Sequence, residues 1–299
     1  MNAPREPAHM FDDARGAVPP EMDGLATEEA VERILDRHDS LDPEGVRERL
    51  EYVTHEGVVC REGIEQGLGD VSGILSTPEN RIDIARREFE TAVDLAEPVS
   101  DLAIVASRLG EHEERLLALK EEIDRLGPEL NELFNDWLEE PDDVYVMADG
   151  LYQHAVRGQR MHRLVDELIG DLESFQEWVD DADVRFEELE RDIEGVDETL
   201  DDLADALADI AEGDATEAAP EGGSSEDDPD PAFVWVDAAL RHRLVDLLIA
   251  DLRTELDGLR TWANREGIDA DEWTDDLAGR IADARSRWEI GRASCRERV

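Results

Sequence analysis

Lysine is almost absent from this 299-residue sequence: Lys120 is the only one, so 30 − 1 = 29 of the 30 basic residues are arginines. Aspartate and glutamate number 80, which gives a formal net charge of −50. In dilute solution such a charge opposes folding, whereas in molar salt the Debye length falls to about 3 Å and the repulsion is screened. We therefore expect a halophilic protein. An acidic disordered chain fits poorly, because 40% of the residues are apolar and they recur periodically.

Aromatic residues are also scarce, at 5% of the chain, so the core must be thin and aliphatic. No run approaches the roughly 18 to 20 apolar residues that span a bilayer. Met1–Pro20 lacks the basic segment followed by an apolar one that marks a secretion signal. We expect a cytoplasmic protein without a membrane span.

The sequence has two cysteines, Cys60 and Cys295. The second lies in a C-terminal segment, 289–299, that is rich in arginine and resembles the translation of a sequencing-adapter oligonucleotide. We interpret 289–299 as a non-native tail, so the native chain is expected to be truncated near Trp288. One cysteine then remains, which excludes an intrachain disulfide.

An internal repeat stands out from the rest of the chain. The segment 162–172, HRLVDELIGDL, returns at 242–252 as HRLVDLLIADL, with nine identities in eleven positions. In the first copy the apolar residues fall on one stripe of a helix, which is stable only when another helix covers it. We expect the second copy to pack against the hairpin described below, near the first copy.

Long seven-residue repeats of apolar residues predict long helices that pack side by side. One seam follows steps of seven through Leu102, Leu109, Leu116, Ile123, Leu130 and Trp137. A second seam runs from Met161 to Ile210 in steps of four and three, with a turn expected at 180–183 if the helix is in fact two. We predict an all-α fold: a long antiparallel helical hairpin or coiled coil with a small N-terminal helical module.

Composition and helix signals divide the chain into six segments. In the module we predict an N-cap at Asp42 and a short helix that ends at Gly69. The predicted segments are a mobile arm (1–25), the small helical module (26–77), the long hairpin (78–212), a disordered acidic linker (213–231), a C-terminal helical segment with the second copy (232–288) and the tail (289–299).

Motifs that would carry catalysis are missing. The glycines between Gly67 and Gly73 do not match the dinucleotide fingerprint, and no phosphate-binding loop occurs. The only Glu-x-x-His spacing is Glu6 to His9, within the predicted arm, so a di-iron bundle is not expected. We predict no enzyme, no cofactor and no metal site.

Two basic clusters occupy equivalent places in the repeats. They are candidates for binding an anionic partner, and the alternative is that they pair with neighbouring acidic helices and fix the packing register. The residues are Arg160, His162, Arg163, Arg241, His242 and Arg243.

The short helices and glycine turn predicted in the N-terminal module could also form a helix-turn-helix. Its candidate reading region offers Arg61 and Arg81 among more numerous acids, whereas a DNA reader needs several basic residues on one face. We therefore do not expect nucleic acid as a partner, and a nucleic-acid-associated regulator is kept as the alternative function.

The acidic, lysine-poor heptad pattern, the Thr77-Pro-Glu-Asn-Arg81 helix start and the His-Arg-Leu-Val-Asp repeat resemble the haloarchaeal soluble helical proteins named halo transducer proteins. That resemblance covers most of 27–288 and implies a link to sensory signalling. The leading functional prediction is a non-enzymatic cytoplasmic interaction or adaptor protein, which binds protein partners or itself through helices.

Overall fold

The computed structural model describes residues 18–38, 40–141, 143–216 and 231–296, without the side chains of 206–216, 231–239, 242 and 290–296. The described residues are almost entirely helical, which confirms the predicted all-α class. The elements in chain order are α1 (Thr27–Leu35), α2 (Pro43–Leu50), a 3-10 turn (Glu51–Val53), β1 (Thr54–His55), β2 (Val58–Val59), α3 (Arg61–Ala96), a second 3-10 turn (Glu97–Val99), α4 (Ala103–Glu139), α5 (Val144–Asp180), α6 (Ala182–Thr216), α7 (Pro231–Glu266) and α8 (Asp271–Arg296).

The chain divides into two compact units. Unit 1 comprises the described part of Met1–Ala92 together with Gly110–Glu173. Unit 2 comprises Val93–Leu109 and the described part of Ser174–Val299. Helix α3 continues through residues 77 and 78, where the predicted module ends and the predicted hairpin begins.

Two glycines let the N-terminal part of unit 1 approach α3 closely. A Cβ atom at Gly63 would lie 2.4 Å from the backbone oxygen of Val53, and one at Gly67 would lie 1.8 Å from that of Tyr52. These glycines serve packing between backbones. The prediction of a short helix that ends at Gly69 is wrong, because α3 continues to Ala96.

A short β-hairpin was not predicted from the sequence. Strands β1 and β2 pair antiparallel across Glu56 and Gly57, whose φ angles are 49° and 78°. Positive φ at both central residues is the geometry of a tight hairpin turn, and glycine adopts it without strain. Val18 and Met22, which belong to the predicted arm, are buried in this part of the structure; residues 1–17 lie outside the described ranges.

The predicted N-cap of α2 is confirmed. The Asp42 carboxylate accepts a hydrogen bond of 2.8 Å from the backbone N–H of Gly45, which is otherwise an unpaired donor of the first turn. Pro43 occupies the first helical position, where a missing N–H has no cost.

Within unit 1, α4 and α5 form an antiparallel hairpin. Arg157 of α5 donates to Glu122 and Glu129 of α4 at 2.7 and 2.5 Å, and Arg115 of α4 donates to Asp171 of α5 at 2.6 Å. Partners farther along α4 lie earlier along α5, as antiparallel packing requires. Helix α4 ends at Glu139 and α5 begins at Val144.

Helix α3 lies parallel to α5 in unit 1. A Cβ atom at Gly158 would lie 2.7 Å from Leu75, and farther along both helices Arg81 donates to Asp166 at 2.6 Å. These contacts, with those of the hairpin, join α3, α4 and α5 in unit 1.

Helices α6, α7 and α8 form the core of unit 2. Arg280 and Arg287, two turns apart on α8, reach Glu190 and Asp197, two turns apart on α6, at 2.7 and 2.9 Å. The same sequence offset in both pairs means that α6 and α8 run parallel. Helix α7 runs antiparallel to α8, since Asp246 contacts Arg285 whereas residue 260 contacts 275.

The turn expected at 180–183 is confirmed. Helix α5 ends at Asp180 and α6 begins at Ala182. The Asp181 carboxylate accepts a hydrogen bond of 2.8 Å from the N–H of Asp183 and so caps the new helix. The predicted acidic linker falls largely on 217–230, which are outside the described residues; 289–299 lies in α8 up to Arg296, without described side chains beyond Glu289.

Candidate interaction surface

The two copies of the repeat agree in one buried valine and in one ion pair with another helix. The first lies on α5 in unit 1 and the second on α7 in unit 2. Val165 and Val245 are both 0% exposed. Asp166 accepts from Arg81 of α3, and Asp246 lies 3.4 Å from Arg285 of α8. Each copy therefore uses the same valine for packing and the same aspartate for an arginine on another helix; the predicted proximity of the two copies stays a prediction.

The first predicted basic cluster is only partly engaged. His162 lies 3.4 Å from the Asp166 carboxylate one turn away on its own helix. Arg160 and Arg163 are exposed. Their neighbour Arg157 is held between two α4 carboxylates, which is the packing role offered as the alternative to partner binding.

The second predicted basic cluster lies near the start of the described side chains of α7. Arg241 and Arg243 are exposed, and the side chain of His242 is outside the described part. The two clusters belong to different units.

An exposed row of leucines lies beside this second cluster and was not predicted. Leu240, Leu244 and Leu247 are 63%, 52% and 63% exposed. Steps of four and three place them on one side of α7. We call these three residues the leucine face; single exposed leucines are ordinary, whereas an aligned row is typical of an interaction site.

A comparison of the two copies in the sequence could have revealed the leucine face. The first copy has Glu167 where the second has Leu247, and Arg160 where the second has Leu240. Both residues of the first copy are exposed. The helix therefore packs with charged residues at these two positions, so its fold does not require leucine there.

A second feature of unit 2 is a partly buried charge cluster. Arg108 of α4 donates to Glu188 of α6 at 3.0 Å and to Glu255 of α7 at 2.7 Å. The Arg108 guanidinium also lies 4.1 Å from the ring centroid of Trp178. Three helices and one tryptophan are thus joined at a single arginine, which fixes their relative register.

Glu255 gives a pH-dependent prediction. Its pKa is raised, chiefly by burial, and further by the carboxylates of Asp192 and Glu188, against the opposing effect of Arg108. A raised folded-state pKa means that ionised Glu255 destabilises the fold above that pKa, and that this cost disappears as the pH falls to the ordinary glutamate range. Glu255→Gln should therefore be more stable than the wild type at pH 7, and urea titrations should show that advantage shrinking toward acid pH.

Glu122 provides a control of opposite sign. Its pKa is lowered, chiefly by the hydrogen bond from Arg157, so its ionised form stabilises the fold above the ordinary glutamate pKa and loses that effect in acid. Glu122→Gln should be less stable than the wild type at pH 7, with a deficit that shrinks as the pH falls. A Glu255→Gln variant that followed the same course would contradict the assignment.

Four arginines of the N-terminal region contact carboxylates. Arg47 donates to Glu28 at 2.8 Å, and Arg61 donates to Glu65 at 2.9 Å. Arg49 and Arg81 reach aspartates of α5. A row of arginines presented to phosphates is the feature that a nucleic-acid reader needs, and these contacts direct the arginines to the protein itself.

One groove in unit 1, of about 420 Å³, lies at the turn of the hairpin. Its floor includes Trp137 and Met147, and its rim carries Asp136, Glu139, Glu140 and Asp143. Neither histidine nor cysteine lines it, so it offers no nucleophile with its base. Across the described ranges, no group of three histidine, cysteine or acidic side chains could hold a metal ion.

The chain matches no family model, no curated protein and no solved structure. Among the helices that the structure describes, none combines the length and the apolar character needed to cross a membrane.

Proposed function

We propose that this chain is a non-enzymatic helical interaction protein, an adaptor, that binds a protein helix through the leucine face of α7. The observation that carries the proposal is the alignment of Leu240, Leu244 and Leu247 on one exposed side of a helix whose other side is buried. Helix-in-groove and helix-on-helix recognition use anchors at this spacing.

Exposure of these leucines has a cost that a partner would remove. Burying apolar surface contributes about 25 cal/mol per Å², and the three leucines expose roughly 300 Å², the size of the largest patch on many monomers. The first copy shows that charged residues are tolerated at two of the three positions. Exposed leucines at positions where a charged residue is compatible with the fold are best explained by binding of a protein partner.

The setting of this function is proposed from composition. The excess of 80 acidic over 30 basic residues, with one lysine, supports a halophilic cytoplasm, in which exposed ion pairs are screened and apolar contacts carry most of the affinity. A role in sensory signalling is the further proposal that the family resemblance implies.

Photocrosslinking tests the proposal. We expect benzophenone-alanine at position 244, in the cells that make the protein, to give protein adducts about tenfold more abundant than the same group at position 117, because only the first lies on the leucine face. Leu117 is a matched control: it is 59% exposed, on α4. Adding Leu240→Glu and Leu247→Glu should abolish the adducts at 244.

Nuclease treatment distinguishes protein binding from the alternative function, a nucleic-acid-associated regulator. Adducts and co-purified partners that survive nuclease in molar KCl support protein binding, and loss of every partner on nuclease treatment would favour the nucleic-acid-associated regulator. Equal adduct yields at 244 and 117 would refute the role of the leucine face.

A further inference from the structure

We propose that the groove at the turn of the α4–α5 hairpin binds a small organic cation, in which an ammonium group is joined to an apolar body. The groove belongs to unit 1 and the leucine face to unit 2, so this inference does not depend on the proposed function. The floor, the rim and the ends of the groove each restrict the ligand.

The floor of the groove favours an apolar group. Trp137 of α4 and Met147 of α5 line it and are buried, and Leu133 beside them is half-buried. Val146 also lines the groove and is 59% exposed. An apolar body bound here would displace water from these side chains, which is the main source of affinity that such a groove offers.

The rim of the groove favours a positive charge. Asp136, Glu139 and Glu140 are exposed there, and none of the three forms an ion pair with a basic side chain of the described ranges. Asp143 differs, because its carboxylate lies 3.6 Å from His38. Three uncompensated carboxylates beside an apolar floor complement a cation and repel an anion.

Acidic residues alone do not mark a site in a chain that has 80 of them. Farther from the turn, Glu122 and Glu129 of α4 are both neutralised by Arg157 of α5. The three rim acids instead keep their charge at the edge of an apolar groove. A cation with an apolar body satisfies both features at once.

The size of the groove favours a small molecule over a peptide helix. At one end α4 and α5 are in close contact, since a Cβ atom at Gly150 would lie 2.5 Å from Leu133. At the other end the chain turns between Glu139 and Val144. The distance along α4 from Leu133 to Glu139 is about 9 Å, less than two helical turns. The volume of about 420 Å³ lies within the range of about 300 to 1,000 Å³ that is typical of small-ligand sites.

Three probes with the same apolar body test this inference: phenylbutylamine, phenylbutanol and phenylbutyrate, which are cationic, neutral and anionic. The full chain is titrated in the lowest KCl concentration that gives full helix content. Binding is followed by the indole N–H resonance of Trp137, assigned by its absence from Trp137→Phe. We expect the amine to bind with a dissociation constant on the order of 1 mM. It should bind about fivefold more tightly than the alcohol, and the carboxylate should bind more weakly than the alcohol.

Removal of the rim charges should abolish this preference. Asp136→Asn, Glu139→Gln and Glu140→Gln combined should make the amine bind no more tightly than the alcohol, whose affinity should not change. A control variant removes three other exposed carboxylates of α4: Glu113→Gln, Glu114→Gln and Glu121→Gln. These positions lie at least about 22 Å along the helix from Asp136, so the control should keep the fivefold preference. Both variants should fold, because every substituted residue is exposed.

The floor is tested separately from the rim. Val146→Ser should weaken all three probes by about threefold, because it removes apolar surface without changing the charge. Equal binding of the amine and the alcohol by the wild type would overturn the inference. So would a preference for the amine that survives removal of the three rim charges, or a Trp137 resonance that no probe shifts.

Discussion

Glu266→Ala should lower the free energy of unfolding by about 3 kcal/mol, because it leaves the charge of Arg185 buried without its counter-ion. Arg185 is 2% exposed, and its guanidinium contacts Glu266 at 2.5 Å. Burial lowers the pKa of Arg185, the direction expected for a cation withdrawn from water. Removal of the carboxylate adds to this burial cost by taking away the opposing charge.

The pair also fixes the tryptophans that follow the two copies of the repeat. Trp262 donates its indole N–H to Glu266 at 2.8 Å, and the Arg185 guanidinium lies 3.9 Å from the Trp262 ring centroid. The Trp178 and Trp262 rings meet edge to face, with centroids 5.3 Å apart. Glu266→Ala therefore leaves an indole donor without its acceptor in addition to the unpaired arginine.

A double-mutant cycle checks this account. Arg185→Met with Glu266→Ala removes the orphaned charge, so the double variant should be more stable than Glu266→Ala alone in urea titrations at molar KCl. Arg265→Ala is the control, since the neighbouring Arg265 pairs with Asp101 at an exposed site and its loss should change stability little. A double variant as unstable as Glu266→Ala would show that lost packing, and not the unpaired charge, sets the cost.

The ends of the helices could be predicted from the sequence where a single local feature, such as a capping aspartate, determines them. The turn at 180–183 needs only a cluster of aspartates and one N-cap, and both Asp42 and Asp181 cap as their positions indicate. Gly69 misled the prediction because glycine marks helix ends and also close backbone contacts. Gly63 and Gly67 belong to the second kind, and only the position of Tyr52 and Val53 reveals it.

Arg185 and the leucine face could not be predicted, for a shared reason. Periodicity finds the apolar side of a helix, but which neighbours cover that side is a property of the assembled unit. Arg185 interrupts no seam, yet it is among the most buried side chains. Leu244 is identical to Leu164 in the first copy, yet it is more exposed in the structure.

The largest expected effect is that of salt on folding. Helix content by circular dichroism should rise steeply as KCl increases from about 0.01 M to about 1 M, because the Debye length falls from about 30 Å to about 3 Å. Even if every one of the 30 basic residues were paired, 80 − 30 = 50 acidic residues would remain uncompensated. Repulsion among these charges acts along the whole chain and outweighs the attraction between the ion pairs, which salt also weakens.

Arg280 and Arg287 of α8 illustrate why salt should stabilise the fold. Each lies between two acids of α6 separated by one turn: Arg280 faces Glu190 and Glu194, and Arg287 faces Asp197 and Asp201. Two carboxylates meet one guanidinium in each case, so even the paired sites keep an excess of acid. Screening therefore stabilises the bundle, although it weakens each individual pair.

Acid provides the control that separates screening from specific ion binding. Lowering the pH of a dilute buffer toward 4 protonates part of the carboxylates and removes the repulsion without adding salt, so helix content should rise there as well. Potassium and sodium chloride should act alike at equal ionic strength, and sucrose at equal osmolality should do less. A chain equally helical and equally heat-resistant in dilute buffer and in molar KCl would refute the proposal that the protein is halophilic, since its net charge would then oppose folding too little to require salt.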